Sequence, residues 1–326
     1  MELVTKKKLA LIAGRANVEL AEEVAAHLGT PLLDAHCSEF ANGELHCKIE
    51  SSVRGTDVFI MQSHLSYEGM SVNDAIMEHL IMVDAARRAS AKRITVVMPF
   101  YGYGRQDRKS AGREPITARM VADMFGVAGA QRLMSVDLHS GQIQGFFNGP
   151  VDHLTAMPVL VDYMKTLGED LVVVSPDAGR VKVAERYSNM LHADLAIIHK
   201  RRLKDTKNAV EARDVIGDVA GRTCVLIDDM IDTAGTIVAA AEQLHEKGAA
   251  RVVAATTHGV FSGPAIDRLK NSPIERIVVT NTLPLSADKQ LDKIEVVSVA
   301  NIIADAIDAV FEDTSVSEIF DGQNQS

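Results

Sequence analysis

The sequence predicts an α/β protein of two domains, each a mainly parallel sheet flanked by helices. Short apolar runs of β-type residues alternate with helical patterns along the chain, and the second half repeats the rhythm of the first. At 326 residues the chain is also longer than one hydrophobic core ordinarily supports. Strands separated by helices of about ten residues or more require crossover connections, and those place neighbouring strands parallel.

The elements follow in order. KLALIAG reads as a first buried strand: its apolar run is too short for a secretory core, and Arg15 and Glu19 follow at once. DVFIMQS, RITVVMPF and RLMSVDL are the next strands, interleaved with the helices ELAEEVAAHL, VNDAIMEHLIMVDAARRA and TARMVADMFGVAGA. In the second half DLVVVSP, LAIIHK, TCVLIDD, RVVAATTHG and RIVVTNT are strands, with TIVAAAEQLHEKGA a helix between them. Both halves run a helix through a Gly/Ala segment (GVAGAQR, KGAAR) into a strand ending in His (SVDLH, ATTHG), which suggests a duplication. The expected domains are 1–150 and 151–301, joined near GFFNGPVDH, with a final helix over about 302–320 and a polar end, DGQNQS.

Composition excludes several classes. A net charge of −10, with no Lys/Arg-rich face, argues against general nucleic-acid binding. Aromatic residues make up 4% and Trp is absent, so base-stacking platforms are not expected. No apolar stretch is long enough to span a membrane. Three cysteines without a CxxC pair fit a reducing cytoplasm. His36-Cys37 and His46-Cys47 invite a zinc reading, but strand neighbours point to opposite faces, so each pair splits.

Ligands of open α/β sheets sit beyond the carboxyl ends of strands. Four segments lie there: PFYGYGRQDRK, Asp137 to His139, SPDAGR, and DDMIDTAGT. In the last, Asp228 and Asp229 end a buried strand and DTAGT opens a helix near Thr236. Free N–H groups at a helix N-terminus favour a phosphate, and paired carboxylates accept hydrogen bonds from vicinal sugar hydroxyls. A sugar phosphate satisfies both. An aspartyl-phosphate phosphatase needs DxD spacing, which is absent. YGYGRQDRKSAGREPIT, with Arg105, Arg108, Lys109 and Arg113, is a cationic loop suited to polyphosphate, yet no Walker A sequence occurs and Asp107 breaks GxGxxG. His139 and Asp177, with substrate phosphates, are candidates to hold Mg²⁺. Lys200, Arg201, Arg202, Lys204 and Lys207 crowd a segment that begins at a strand end, where cations serve phosphoryl transfer.

FANGE (40–44), YGYGRQDRK (101–109), SVDLHSGQIQGFF (135–147), VVSPDAGR (173–180), HKRR (199–202) and DDMIDTAGT (228–236) together resemble the ribose-phosphate diphosphokinase family, the phosphoribosyl pyrophosphate synthetases. The resemblance covers essentially the whole chain. It implies two phosphoribosyltransferase-type domains, with the final helix packing back on the first. It implies transfer of the β,γ-diphosphoryl group of MgATP to ribose 5-phosphate, releasing AMP, with Mg²⁺ as cofactor. Phe40, Asn42, Gly43 and Glu44 would hold adenine, with Arg105 and Gln106 also at ATP. His139 and Asp177 would be the magnesium-linked pair. Asp228, Asp229, Asp232, Thr233, Ala234, Gly235 and Thr236, with Arg202, would bind ribose 5-phosphate. Lys200 and Arg202 would stabilise the transition state. The family's cytoplasmic hexamers of dimers, activated by phosphate and inhibited by ADP, would place a regulatory anion site at Ser52, Arg54, Ser315 and Ser317.

One stretch departs from the family pattern: GRVKVAE carries Arg180 where glycine is usual, and Val183 and Glu185 where arginines are. A phosphoribosyltransferase is the first rival, because it explains DDMIDTAGT equally well, but it leaves YGYGRQDRK, DLH and HKRR without duties. The second rival, a non-catalytic nucleotide-binding subunit, predicts loss of the cations at 200 and 202, which are present.

Overall fold

The apolar runs of the first half become adjacent parallel strands. They are seen in a computed structural model that describes the fold of residues 7–202 and 211–320, with side chains described over the same ranges apart from 200–202 and 211–213. The chain divides into two units: unit 1 runs to Thr155 and takes in Thr282–Pro284 and the chain from Ser298 onward, while unit 2 comprises Ala156–Asn281 and Leu285–Val297.

Unit 1 begins β1 (Leu9–Ala13), α1 (Val18–Leu28), β2 (Leu32–Leu33), β3 (Ala35–Glu39), β4 (Leu45–Ile49) and β5 (Asp57–Met61). It continues α2 (Val72–Arg88), β6 (Arg93–Met98), α3 (Thr117–Ala128), β7 (Arg132–Val136) and β8 (Val151–Leu154). The main sheet has the order β2-β1-β5-β6-β7-β8, parallel throughout. Alternate residues Ala10, Ile12, Val58, Ile60, Val96 and Met98 point to one face and form a single core with Ile76, Met82 and Val83 of α2 and Ala118, Val121 and Phe125 of α3. The intervening Leu11, Phe59, Met61 and Val97 are equally buried. Sheets covered on both faces read as unbroken apolar runs, which is why these strands are legible in the sequence.

Two segments depart from the expected division. The boundary falls after Thr155, because Val151–Leu154 pairs in parallel with β7 as the sixth strand of unit 1. The final helix is also shorter than 302–320. After unit 2 the chain forms α8 (Ala300–Phe311), then turns at Asp313, whose φ is +59°, before a separate 3-10 turn over Val316–Phe320. Asp313 is held there by ion pairs to Lys7 and to Arg93, the latter at 2.6 Å. α8 packs on α1.

The sequence reading does not foresee the β3–β4 hairpin. It forms a separate antiparallel ribbon whose turn is Phe40–Glu44, closed by the Phe40 N–H donating to Glu44 O at 2.8 Å. Ala35, Cys37, Cys47 and Ile49 face inward against the α2 side of the core, while His36, His46 and Lys48 face solvent.

Unit 2 comprises α4 (Met157–Lys165), β9 (Leu171–Ser175), α5 (Val181–Leu191), β10 (Asp194–Arg202), β11 (Glu211–Ile216), β12 (Thr223–Ile231), α6 (Gly235–Glu246), β13 (Arg251–Gly259), α7 (Ala265–Lys270), β14 (Arg276–Thr280) and β15 (Ile294–Val297). Its sheet runs β11-β10-β9-β12-β13-β14-β15, parallel except for β11. Val172, Val174, Leu226, Val252 and Ala254 pack on Ile237, Ala240, Ala241 and Leu244 of α6.

Candidate functional site

In unit 2 the acidic pair is built into a strand that outruns its neighbour. β12 pairs with β9 only as far as Leu226, then continues through Asp228, Asp229 and Met230 to Ile231 alongside β13. The strand therefore includes both carboxylates instead of stopping before them. Asp228 Oδ1 accepts the Asp229 N–H at 2.9 Å. Burial raises Asp228 first, the neighbouring Asp229 charge adds to it, and Arg180 opposes it; the outcome is a pKa near the value of about 8.

Arg180 was not assigned a role by the sequence reading, and the structure places it on this pair. Its Nε lies 3.2 Å from Asp228 Oδ1 and its Nη2 lies 2.6 Å from Asp229 Oδ1. The guanidinium is one-fifth exposed and Asp229 only 8% exposed, so the pair is only partly screened by water. Arg180 thus supplies a cation for the carboxylates just before the loop that begins at Asp232. A signal was present in the sequence: an arginine three residues after a strand-end Asp, in SPDAGR.

The loop itself matches the expected placement at a helix start. α6 begins at Gly235, with Ala234 as N-cap in the left-handed region at φ +61°. Ala234 itself offers no capping side chain, and the loop Asp232–Thr236 leads into the N–H-bearing first turn of the helix. Arg268 Nη1 donates to Thr233 O at 2.9 Å, and the Ser262 N–H donates to Asp232 O at 2.9 Å. Both braces come from residues distant in sequence, and neither was foreseen. Asp177 follows β9 and caps the short turn Ala178–Arg180, its Oδ1 accepting the Gly179 N–H at 2.8 Å. Lys200 and Arg202 belong to β10 by backbone, opposite Arg213 and Glu211 of β11. Their side chains lie outside the described residues, as do Lys204 and Lys207 altogether.

Unit 1 carries the remaining candidates. Phe40, Asn42, Gly43 and Glu44 form the exposed hairpin turn, with Phe40 55% exposed and the Glu44 N–H donating to Asn42 Oδ1 at 3.2 Å. Arg105 and Gln106 follow β6. Gln106 is pinned at the start of α3: its backbone O accepts from Ala118 N–H at 3.2 Å, and Thr117 Oγ1 donates to its Oε1 at 2.5 Å. Arg108, Lys109 and Arg113 are exposed.

His139 follows a strained turn. Asp137 at the end of β7 holds φ +38°, uncommon for a residue other than glycine, and the Leu138 N–H donates to His153 Nε2 at 3.0 Å. His153, buried at 6%, is thus a positioning group that the sequence reading missed. Ser315 Oγ and Ser317 Oγ lie 2.9 Å apart and, like Ser52 and Arg54, are exposed on unit 1. Among the described residues no cluster of three His, Cys, Asp or Glu stands ready to cage a metal.

A parallel sheet ending in paired carboxylates beside a phosphate-ready helix start defines an α/β enzyme of the sugar-phosphate-handling kind. The model for the N-terminal domain of ribose phosphate pyrophosphokinase matches residues 9–129, and that for the phosphoribosyl synthetase-associated domain matches residues 211–321. The ribose-phosphate pyrophosphokinase of Streptomyces coelicolor is 55% identical over 98% of both chains. That of Bifidobacterium longum is 52% identical over 97% of this chain and 93% of its own. The crystal structure of phosphoribosylpyrophosphate synthetase from Mycobacterium smegmatis, 49% identical, superposes with a TM-score of 0.88 over 94% of this chain and all of that one. The chain belongs to the ribose-phosphate pyrophosphokinase family.

Proposed function

We propose that this chain transfers the β,γ-diphosphoryl group of ATP to the anomeric hydroxyl of ribose 5-phosphate, making 5-phosphoribosyl 1-diphosphate and AMP. The observation that supports this most is local to unit 2: carboxylates for sugar hydroxyls on β12, and the helix N-terminus for the 5-phosphate where α6 begins. Asp228 and Asp229 accept from the ribose hydroxyls, and Asp232, Thr233, Ala234, Gly235 and Thr236 wrap the phosphate, with Arg202 as a further cation. Phe40, Asn42, Gly43 and Glu44 hold the adenine, and Arg105 and Gln106 contact ATP.

The sugar oxygen attacks the β-phosphorus, the bond from that phosphorus to the oxygen of the α-phosphate breaks, and AMP leaves. No side chain stands out as a general base for the hydroxyl proton, and Asp229 serves at most as a helper. Such chemistry depends mainly on alignment and on charge placed where the transition state develops it. Lys200 and Arg202, at the end of β10, supply that charge. His139 and Asp177 are the residues that would hold Mg²⁺, Asp177 through a hard carboxylate oxygen and His139 through its imidazole. Mg²⁺ usually takes few protein ligands, so the remaining donors come from phosphates and water. When bound it neutralises phosphate charge.

The same reading assigns Ser52, Arg54, Ser315 and Ser317 to an anion site for phosphate and ADP, and the working form to a cytoplasmic hexamer built from dimers. An apolar groove of ≈ 570 Å³ beside α3, lined by Leu80, Ile116, Met120 and Val127, supports self-association, since Val127 is 80% exposed. No helix among the described residues is long and apolar enough to cross a membrane. The test is product analysis with MgATP, ribose 5-phosphate and inorganic phosphate. Sugar-dependent AMP matched by an acid-labile diphosphorylated ribose is expected; folded protein that binds ATP but forms no AMP overturns the reading.

A further inference from the structure

Cys37 and Cys47, ten positions apart in sequence, are direct cross-strand partners in the β3–β4 hairpin, and their sulfurs lie 3.1 Å apart. The pairing type can be derived. The Phe40 N–H donates to Glu44 O at one end of the ribbon, and the Glu50 N–H donates to Asp34 O at the other. Bonded and unbonded pairs alternate along an antiparallel ladder, so both ends agree that Cys37 and Cys47 form an unbonded pair. Such pairs bring Cα atoms to about 4.5 Å, inside the range of about 4.4–6.8 Å that a disulfide requires. Both thiols are partly exposed, whereas Cys224 is fully buried.

We propose that Cys37 and Cys47 are a peroxide-oxidised dithiol whose disulfide staples the hairpin that presents the Phe40–Glu44 turn. The consequence for nucleotide rests on the reading of that turn as the adenine loop. In the first step a Cys47 thiolate attacks one peroxide oxygen, the O–O bond breaks, and water leaves a sulfenic acid. In the second, the Cys37 sulfur attacks the sulfenic sulfur, its own proton and the departing hydroxide leave as water, and the S–S bond forms. Two electrons pass from the two thiols to one peroxide, and a thiol reductant reverses the change.

The surroundings favour this division of roles. The hydrogen bond from Cys37 holds the Cys47 thiol below its ordinary range, against burial and the nearby Glu78 charge, while Arg15 also favours the thiolate. The same hydrogen bond and burial push Cys37 up, making it the proton-bearing, resolving partner. The staple closes a ring around the whole Phe40–Glu44 turn and removes backbone freedom from it. On the proposed reading the ring leaves the turn less able to adjust around a base, so affinity for ATP falls while the sugar site in unit 2 is untouched.

The experiment treats the full-length protein with hydrogen peroxide, blocks residual thiols with iodoacetamide, and maps peptides by mass spectrometry beside ATP kinetics. The expected result is a linked peptide joining Cys37 to Cys47 with loss of two hydrogens. A several-fold rise in KM for ATP should accompany it, restored by reductant and absent from Cys37→Ser and Cys47→Ser. Absence of the linked peptide, or sulfinic acid on Cys47 in its place, overturns the proposal. If the peptide forms but KM for ATP does not move, Phe40→Ala separates the causes. A KM that rises in Phe40→Ala leaves the adenine loop in place and overturns the staple's effect on it; a KM that does not rise overturns the adenine-loop reading itself.

Discussion

Arg180 Nη2 lies 2.6 Å from Asp229 Oδ1 while Nε of the same side chain reaches Asp228 at 3.2 Å, so one guanidinium serves both carboxylates of the β12 pair. Removing one partner of a partly buried ion pair leaves the other charge uncompensated, which costs about 3 kcal/mol when screening is weak. Arg180→Ala should therefore destabilise unit 2 by about 2 kcal/mol after allowance for its partial exposure. Arg180→Lys should recover less than half, because a point-like ammonium cannot reach two carboxylates as a planar fork does. Urea unfolding followed by a probe in unit 2 measures both, and a lysine variant as stable as the parent would remove the fork geometry from the account.

The two units should respond to pH in opposite directions. Asp228 is raised from 3.8 to about 8, so in the folded chain it keeps a proton that the unfolded chain has lost. Its contribution is fully present below about pH 4 and is lost as pH rises through 8. In unit 1, burial lowers His64 well below 6.5 and His79 to about 3. The His79 Nε2 sits 3.0 Å from Ile60 O, and its Nδ1 3.1 Å from His64 Nε2. These rings stay neutral in the fold, so stability is full above 6.5 and declines as pH falls toward 3. Unit-resolved unfolding near pH 5 and near pH 8.5 should show opposite trends, with Asp228→Asn flattening only that of unit 2. Parallel trends in both units would contradict this.

Gly102 tests the packing beneath the cationic loop. A Cβ built there would meet His64 Cβ at 2.7 Å, and His64 is fully buried against Phe125, with ring centroids 5.8 Å apart. The neighbour has no flexible end to move, so Gly102→Ala should cost about 1–3 kcal/mol by overpacking. A melting temperature equal to that of the parent would show that the histidine can shift.

Lys200→Ala should lower turnover by orders of magnitude with ATP binding and fold retained, because its charge acts mainly on the transition state. Single-turnover kinetics beside equilibrium nucleotide binding separates the two, and near-normal turnover would remove Lys200 from the mechanism.

Much of this molecule is legible in its sequence. Strands buried on both faces are apolar along nearly their whole length, so LALIA, DVFIM, RITVVM and LVVVS announce themselves, and so does DTAGT ahead of the apolar stripe of α6. Residue type and order were sufficient there, because a parallel sheet, a helix start and a strand-end carboxylate are local consequences of local sequence.

Tertiary structure decided what depends on partners distant in the chain. The pairing of Cys37 with Cys47 hinges on hairpin register, and a shift of one residue would send the two sulfurs to opposite faces. The assignment of Val151–Leu154 to unit 1 rests on its pairing with β7, and the end of α8 on the ion pairs of Asp313. Arg180 reads as a departure from pattern until folding brings it to β12. Sequence specifies which chemistry is available at each strand end; only packing brings a cation from one strand end onto the carboxylates of another, because that encounter costs chain entropy repaid by the whole core.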